Sequence, residues 1–408
     1  MTKVVVVGSG GREHCLADVL GRHATDVVVT PGNPGIPGSV STPATELDAD
    51  LFVIGPEVPL VDGLADELRA QGKLVFGPGA DGAQLEGSKA YMKELLVAAG
   101  VPTAAHGSFT KAEPAIEFLN TMSEPFVIKT DGLAAGKGVL VTSDRAEAEA
   151  AIHEYLSGDA FGSAGSTVVI EEGLVGPEVS VFAICDGTKA VALAPAQDHK
   201  RIFDGDEGPN TGGMGAYTPL PWAEDDLVDK IMVEAIEPTL AELSRRGIDY
   251  RGTLFAGLML TDSGPKMLEY NVRFGDPETQ VILPRIDSDL VQLLSEAAAG
   301  NIESTPVFSG DAVVTVVCAS EGYPASPRTG DVIDGLDAAE SIDGVSVYAA
   351  GVGRNDEGAL TTGGGRVLNV VGRGATTAEA VDRAYAGVDR ISWPGMQHRT
   401  DIANQARS

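Results

Sequence analysis

Apolar residues fall into two textures along this chain. Up to about residue 100, short unbroken apolar runs alternate with amphipathic stretches. Residues 4–7 are consecutive valines, which is how a strand buried on both faces of a parallel sheet reads. Runs at 27–30, 51–54 and 74–76 repeat the signal, with helical stretches at 12–20 and 60–70 between them. This alternation predicts a doubly wound parallel sheet. Ser88 is placed to cap a helix over 89–99, which Gly100 stops, with Pro102 beyond.

From residue 101 the runs shorten. Strands are predicted at 126–129 and 139–141 around a Gly-rich turn, then a helix at 145–155 and a strand at 168–172. A hairpin follows at 179–183 and 190–194, turning at Asp186-Gly187. Residues 195–221 read as a long polar, Gly-rich loop, and 223–244 as one helix. Strands 253–260 and 267–272 pair across Asp262-Ser263-Gly264, and a helix covers 290–298. A third unit begins near 309, with strands at 312–318, 345–350 and 366–371 and a helix at 377–388. The expected division is 1–100, 101–308 and 309–408, all α/β in texture.

Composition narrows the class. At 408 residues and 43% hydrophobic, the chain can build several cores. No apolar run approaches the roughly 18–20 residues needed to span a bilayer, and the valine run before Gly8 is too short for a secretory segment. A cytoplasmic protein is expected. Cys15, Cys185 and Cys318 stand far apart, without metal-ligand or disulfide spacing. The formal charge of −30 argues against nucleic acid and anionic lipid as partners. It also means that any phosphate site must be built locally. Lys is scarce, 11 against 18 Arg. That balance suits high salt, where screening shortens electrostatic reach to a few Å, and points to a halophilic source; an acidic mesophilic protein is the alternative.

Five segments carry candidate chemistry. Gly8-Ser9-Gly10-Gly11-Arg12-Glu13-His14 follows a strand and opens a helix, the setting of an anion site. Glu13 stands where a dinucleotide fingerprint needs its third glycine, so a mononucleotide or sugar phosphate fits better than NAD. Lys129-Thr130-Asp131-Gly132-Leu133-Ala134-Ala135-Gly136-Lys137-Gly138 sets two cations around flexible backbone donors, suited to triphosphate oxygens. It joins two strands, unlike a Walker A loop. Glu171-Glu172-Gly173-Leu174, with Glu178, offers backbone to read an adenine edge and carboxylates for ribose hydroxyls. Glu269 and Asn271, two apart on a strand, face the same way with Arg273 in the same row, as hard oxygen ligands for a phosphate-bound Mg²⁺ would. Gln197-Asp198-His199-Lys200-Arg201 and Gly208-Pro209-Asn210-Thr211-Gly212-Gly213 lie on the long loop, where Gly and charge concentrate. For each, the plain structural alternative is a tight turn, a surface hairpin or a solvated salt bridge.

With these residues in view, the chain resembles the phosphoribosylamine–glycine ligase family (glycinamide ribonucleotide synthetases) of the ATP-grasp superfamily. The resemblance covers essentially the whole chain and rests on GSGGREH, PGNPG, IGPEVPLVDGL, LEGSKA, KTDGLAAGKGV, QDHKR, GPNTGGMGAY and EYNVRFGDPETQ. It implies an N-terminal doubly wound parallel sheet domain that binds substrate. It further implies a central ATP-grasp domain with a small lid subdomain at about 104–173, and a C-terminal α+β domain. The implied reaction forms a C–N bond in the second step of purine synthesis. ATP phosphorylates the glycine carboxylate, and the amine of 5-phosphoribosylamine displaces phosphate. The resemblance implies that Lys129, Gly132, Gly136 and Lys137 hold ATP phosphates. Glu171, Glu172, Leu174 and Glu178 would hold adenine and ribose, and Glu269 and Asn271 Mg²⁺ or Mn²⁺. Gly10, Gly11, Arg12, Pro34, Gly35, Glu57, Asn210 and Gly213 would meet phosphoribosylamine. Asp198, Lys200, Arg273 and Asp276 would surround glycine and the acyl phosphate, in an enzyme acting as a monomer.

A mixed anhydride supplies the leaving group that a carboxylate lacks, and a closing lid protects it from water. The family normally carries a strand and a helix between Gly38 and Leu51, where only residues 39–50 stand here. The rival readings are another ATP-grasp ligase or carboxylase, which would differ at residues 8–14, and a regulatory nucleotide-binding protein without turnover.

Overall fold

A computed structural model describes residues 2–132, 138–157 and 166–407. Gly136 and Lys137 therefore lie outside the described residues. The N-terminal sheet is parallel throughout, in the order Asp26–Pro31, Lys3–Gly8, Leu51–Ile54, Val75–Phe76. Val5 lies in register with Val28 on one side and Phe52 on the other. Double-sided burial is why the valine run needs no polar alternation. The short connection over 39–50 makes the crossover with one 3₁₀ turn, Ala44–Glu46, and no α-helix. The segment predicted as one helix over 60–70 is two, Glu57–Val61 and Leu64–Ala70, broken where Gly63 takes φ +86°. The helix Lys89–Ala99 forms as predicted: Ser88 Oγ accepts from Tyr91 N, and Gly100 ends it in the left-handed region.

The next sheet is antiparallel, in the order His106–Phe109, Val168–Glu172, Phe126–Thr130, Val139–Thr142. It has its own small core, in which Ile128, Ile152 and Ile170 are buried. A third sheet runs Ala190–Ala192, Glu178–Asp186, Arg251–Thr261, Gly264–Asn271. Its second strand is buried along nearly its whole length.

The segment read as a loop over 195–221 contains four short strands. Gln197–Asp198 and Gly215–Thr218 extend a five-stranded sheet whose other members are Ala312–Ala319, Arg366–Gly374 and Val345–Ala349. Between them Arg201–Phe203 pairs with Glu207–Asn210 as a hairpin. Sequence alternation is too short there to register as strand. The helix expected over 223–244 begins at Leu227 and is interrupted by a π turn, Met232–Ile236, before Glu237–Arg245. Pro238 just beyond the turn lacks an N–H, so the regular ladder cannot run through it. No helix among the described residues is long and apolar enough to cross a membrane.

Candidate active site

The last strand of the third sheet delivers the acid–amide pair. Glu269 lies opposite Gly257, and Asn271 opposite Phe255, so both project to one face. Among the described residues no hydrogen bond or ion pair engages the Glu269 carboxylate. Asn271 Oδ1 accepts from Arg273 Nη2 at 3.0 Å. Two hard oxygen donors in one row, one of them without a protein partner, fit a divalent cation that takes its remaining ligands from phosphate and water. No larger His, Cys, Asp or Glu cluster able to hold a metal occurs among the described residues.

Arg273 ties this row to the N-terminal unit. Its Nε donates to Glu57 Oε2 at 3.3 Å and its Nη2 to Glu86 Oε1 at 2.9 Å. Burial opposes charge on Arg273, but Glu86 and Glu57 outweigh it and raise its pKa further. Burial likewise opposes the Glu57 carboxylate, yet Arg273 and Arg12 hold its pKa below the ordinary value. For Glu86 burial wins and pushes the carboxyl up, against the pull of Arg273.

Across the cleft Glu171 sits between two ammonium groups. Lys129 Nζ is 2.9 Å from Oε1, and Lys93 Nζ is 2.9 Å from Oε2. Lys129 comes from the strand neighbouring Glu171 and Lys93 from the helix Lys89–Ala99. Lys93 also donates to Thr103 Oγ1 at 2.7 Å, which in turn donates to Met267 O. Burial lowers the Lys93 pKa to about 8, with Glu171 resisting and Lys129 adding to the shift. Burial works against the Glu171 carboxylate, but Lys129 and Lys93 hold its pKa below the ordinary value. Two cations on one carboxylate leave a net positive charge in a low-dielectric cleft, which favours a polyanion. Glu171, expected at adenine or ribose, has each carboxylate oxygen 2.9 Å from an ammonium group. Its neighbour Glu172 pairs with Lys266 at 2.9 Å, and Leu174 lies on the segment running to Glu178.

Lys200 Nζ bridges Glu178 Oε2 at 2.5 Å and Asp198 Oδ1 at 3.0 Å. Facing them is Glu278, whose pKa is pushed up to about 7 by burial and by the charge of Asp198. Asp276 accepts from Gln280 at 2.7 Å and from Arg366 at 2.9 Å. The same guanidinium of Arg366 donates to Gly212 O at 2.6 Å. Gly213 has φ +109°, and a Cβ there would lie 2.5 Å from Pro277, so only glycine lets this turn approach Asp276-Pro277. Asn210 lies farther out, exposed on the hairpin opposite Arg201.

The first glycine turn departs from a bare anion cradle. Gly10 N donates to Glu13 Oε2 at 2.6 Å, and the Glu13 side chain packs against Gly8 and Gly55. A carboxylate of the chain itself fills the place where a pyrophosphate would sit, which removes a dinucleotide from this turn. Gly11 starts the helix beside Asn369 and Gln280. Arg12 is buried; its Nε meets Glu13 at 2.5 Å and its Nη1 reaches Phe274 O at 3.1 Å. Pro34 O accepts from Arg354, and Gly35 N donates to Asn33 Oδ1. Lys93, Glu86 and Arg366 join this cluster without a role assigned from the sequence, and Glu278, which ends the segment begun by Glu269, has none assigned either. Lys93 and Glu86 are single charges on helices, where surface residues read the same way.

Family models match in order along the chain: the phosphoribosylglycinamide synthetase N domain over residues 2–86, its ATP-grasp (A) domain over 87–279 and its C domain over 313–405. The chain is 49% identical over 420 residues to the phosphoribosylamine–glycine ligase of Caulobacter vibrioides, covering 99% of this chain and 98% of the relative. The chain belongs to the phosphoribosylglycinamide synthetase family.

As a member of that family it is an ATP-grasp ligase, with the three-part α/β architecture expected from the sequence. The phosphoribosylamine–glycine ligase of Streptomyces coelicolor is 48% identical over 422 residues, covering 99% of each chain. The crystal structure of phosphoribosylamine–glycine ligase from Thermotoga maritima superposes with a TM-score of 0.87 at 35% identity, over 98% of this chain and 99% of that one. The biotin carboxylase domain of 2-oxoglutarate carboxylase from Hydrogenobacter thermophilus, solved with MgADP, shares the fold. Its TM-score is 0.74 at 17% identity, over 97% of this chain and 91% of that one.

Proposed function

We propose that this phosphoribosylglycinamide synthetase family member joins glycine to 5-phosphoribosylamine through glycyl phosphate. The products are glycinamide ribonucleotide, ADP and phosphate, in the second step of de novo purine synthesis in the cytoplasm. The observation that carries this reading is the cleft itself. The Lys93–Glu171–Lys129 triad, with excess positive charge, and the Glu269/Asn271 row come from different sheets, and Arg273 links that row to Glu57.

In this reading Lys129 and Lys93 meet the ATP phosphates, together with Gly132, Gly136 and Lys137 of the glycine loop. Glu171, Glu172, Leu174 and Glu178 frame adenine and ribose. Glu269 and Asn271 hold Mg²⁺ or Mn²⁺, which when bound neutralises phosphate charge. Asp198, Lys200, Arg273 and Asp276 surround glycine and the acyl phosphate, and Asp198 with the neighbouring Glu278 suits the ammonium end of glycine. Gly10, Gly11, Arg12, Pro34, Gly35, Glu57, Asn210 and Gly213 line the side from which phosphoribosylamine arrives. The N-terminal unit, to about residue 100, then serves the amine. Residues 101–308 serve ATP, with 104–173 as the lid, and 309–408 close the cleft in a monomer. A glycine carboxylate oxygen attacks the γ-phosphorus and ADP leaves. The amine nitrogen then attacks the acyl carbon, phosphate leaves with the oxygen it gained, and the nitrogen gives up a proton. Positioning and charge neutralisation supply the rate, without a covalent residue.

The test is steady-state formation of glycinamide ribonucleotide from ATP, glycine and freshly made phosphoribosylamine. The wild type should turn over with these three and not with other small carboxylic acids. Glu269→Ala should fold normally and lose at least about 100-fold in kcat, the scale of one lost charge-stabilising contact. An unchanged kcat would remove Glu269 from the metal row.

A further inference from the structure

Glu86 spends both carboxylate oxygens on the strand end that carries the site. Oε1 accepts from Arg273 Nη2 at 2.9 Å, and Oε2 accepts from the backbone N–H of Val272 at 2.9 Å. It comes from the helix Ala80–Gly87, at the end of the region matched by the N domain, whereas Val272 and Arg273 lie in the ATP-grasp domain. Glu86 fixes the backbone just after Asn271 and, at the same time, the guanidinium that touches Asn271 Oδ1 at 3.0 Å and Glu57 Oε2 at 3.3 Å. The side chains of Glu86 and Arg273 are 9% and 16% exposed, so water competes little for these bonds.

We infer that Glu86 is a positioning residue that locks Arg273 between the metal ligand Asn271 and the substrate-side Glu57, so that metal binding and amine binding depend on each other through one guanidinium. The inference rests on the reading above for the roles of Asn271 and Glu57. Physically, Arg273 is a rigid fork with fixed donor directions. A shift that improves its bond to Glu57 changes what it offers Asn271, and the reverse. Two ligands that bias the same element are coupled, and the coupling is reciprocal for binding. Without Glu86 the fork would be free to follow either partner alone.

Glu86→Gln separates this role from packing. It keeps the shape but has one acceptor oxygen, so it must turn an N–H toward either Arg273 or Val272 N. In Glu86→Gln we expect the KM for phosphoribosylamine and the Kd for Mn²⁺ on the ADP complex, read by electron paramagnetic resonance, to rise together. Each should rise about 10-fold or more, the scale of a hydrogen bond to a charged group. Glu86→Asp, which keeps two acceptors, should recover part of both. Affinity for metal-free ADP should stay within about twofold, since neither Glu86 nor Arg273 bonds to the residues assigned to adenine. Unchanged amine KM and Mn²⁺ affinity, or a shift in only one of them, would overturn the inference. So would a general loss that includes metal-free ADP. If Glu86→Gln does not fold, the wild type decides: its Kd for Mn²⁺ should fall as phosphoribosylamine is added, and independence would overturn the bridge. A wild type that forms no glycinamide ribonucleotide would instead sink the proposed reaction, leaving the Mn²⁺ readout to judge Glu86 by itself.

Discussion

Lys93 and Lys129 press on the two oxygens of Glu171 at 2.9 Å each, in a setting where Lys93 is 1% exposed. Burying an ion pair gains little by itself, because desolvation consumes most of the attraction. An unbalanced triad makes sense where a further anion completes it. With its pKa lowered to about 8, chiefly by burial, Lys93 is charged below that pH in the free enzyme and loses its proton as pH rises through it. The value of kcat/KM reports groups of the free enzyme. For ATP it should therefore fall as pH rises through about 8. Lys93→Arg keeps its charge throughout, so its profile should lose that fall even if its absolute rate is lower. A wild-type profile flat to pH 9.5, or a fall that persists in Lys93→Arg, would detach Lys93 from nucleotide binding.

At the scale of elements, the hairpin Arg201–Phe203 with Glu207–Asn210 joins Asp198 and Lys200 to the glycine turn at 212–213, and the C-terminal tail holds it. The buried Arg399 donates to Asp401 through Nε and Nη2, each at 2.7 Å, and to Asp206 at 2.7 Å through Nη1. Thr400 N adds a bond to Asp204 at 2.8 Å. Arg399→Ala should cost about 2 kcal/mol of stability by leaving these acceptors without their donor. It should also raise the KM for glycine and open the hairpin to limited proteolysis between residues 201 and 210. A hairpin as resistant as in the wild type would mean that the tail does not hold it. Much of this scale is legible in the sequence. The valine run, the Ser88 cap and the Glu269/Asn271 alternation each depend on local rules and appear where those rules put them. The hairpin does not: strands of two to four residues carry no usable period, and their pairing is fixed by a tail nearly 200 positions away. The same holds for the broken helix after residue 223, where apolar spacing persists through the π turn. Lys93, Glu86 and Arg366 were missed for a related reason. A lone charge shows its role only once folding sets a partner beside it.

At the scale of the whole molecule, the site belongs to no single sheet. The N-terminal unit brings Glu57 at the start of the helix Glu57–Val61, later helices bring Glu86 and Lys93, the second sheet brings Lys129 and Glu171, and the third sheet brings Glu269 and Asn271. The C-terminal sheet closes the assembly through Arg366 on Asp276 and through Ala349 N, which donates to His14 Nδ1 at 2.8 Å. A formal charge of −30 repels phosphate at long range, so the positive excess of the cleft must act over the last few Å, where local partners outweigh the distant field. In the proposed reaction this cleft transfers the γ-phosphoryl group of ATP to a glycine carboxylate before the amide forms. Glycine labelled with ¹⁸O in both carboxylate oxygens tests it directly. One labelled oxygen should appear in the released phosphate for every amide made, with the other retained in the amide. Phosphate free of label, alongside labelled product, would rule out the acyl phosphate.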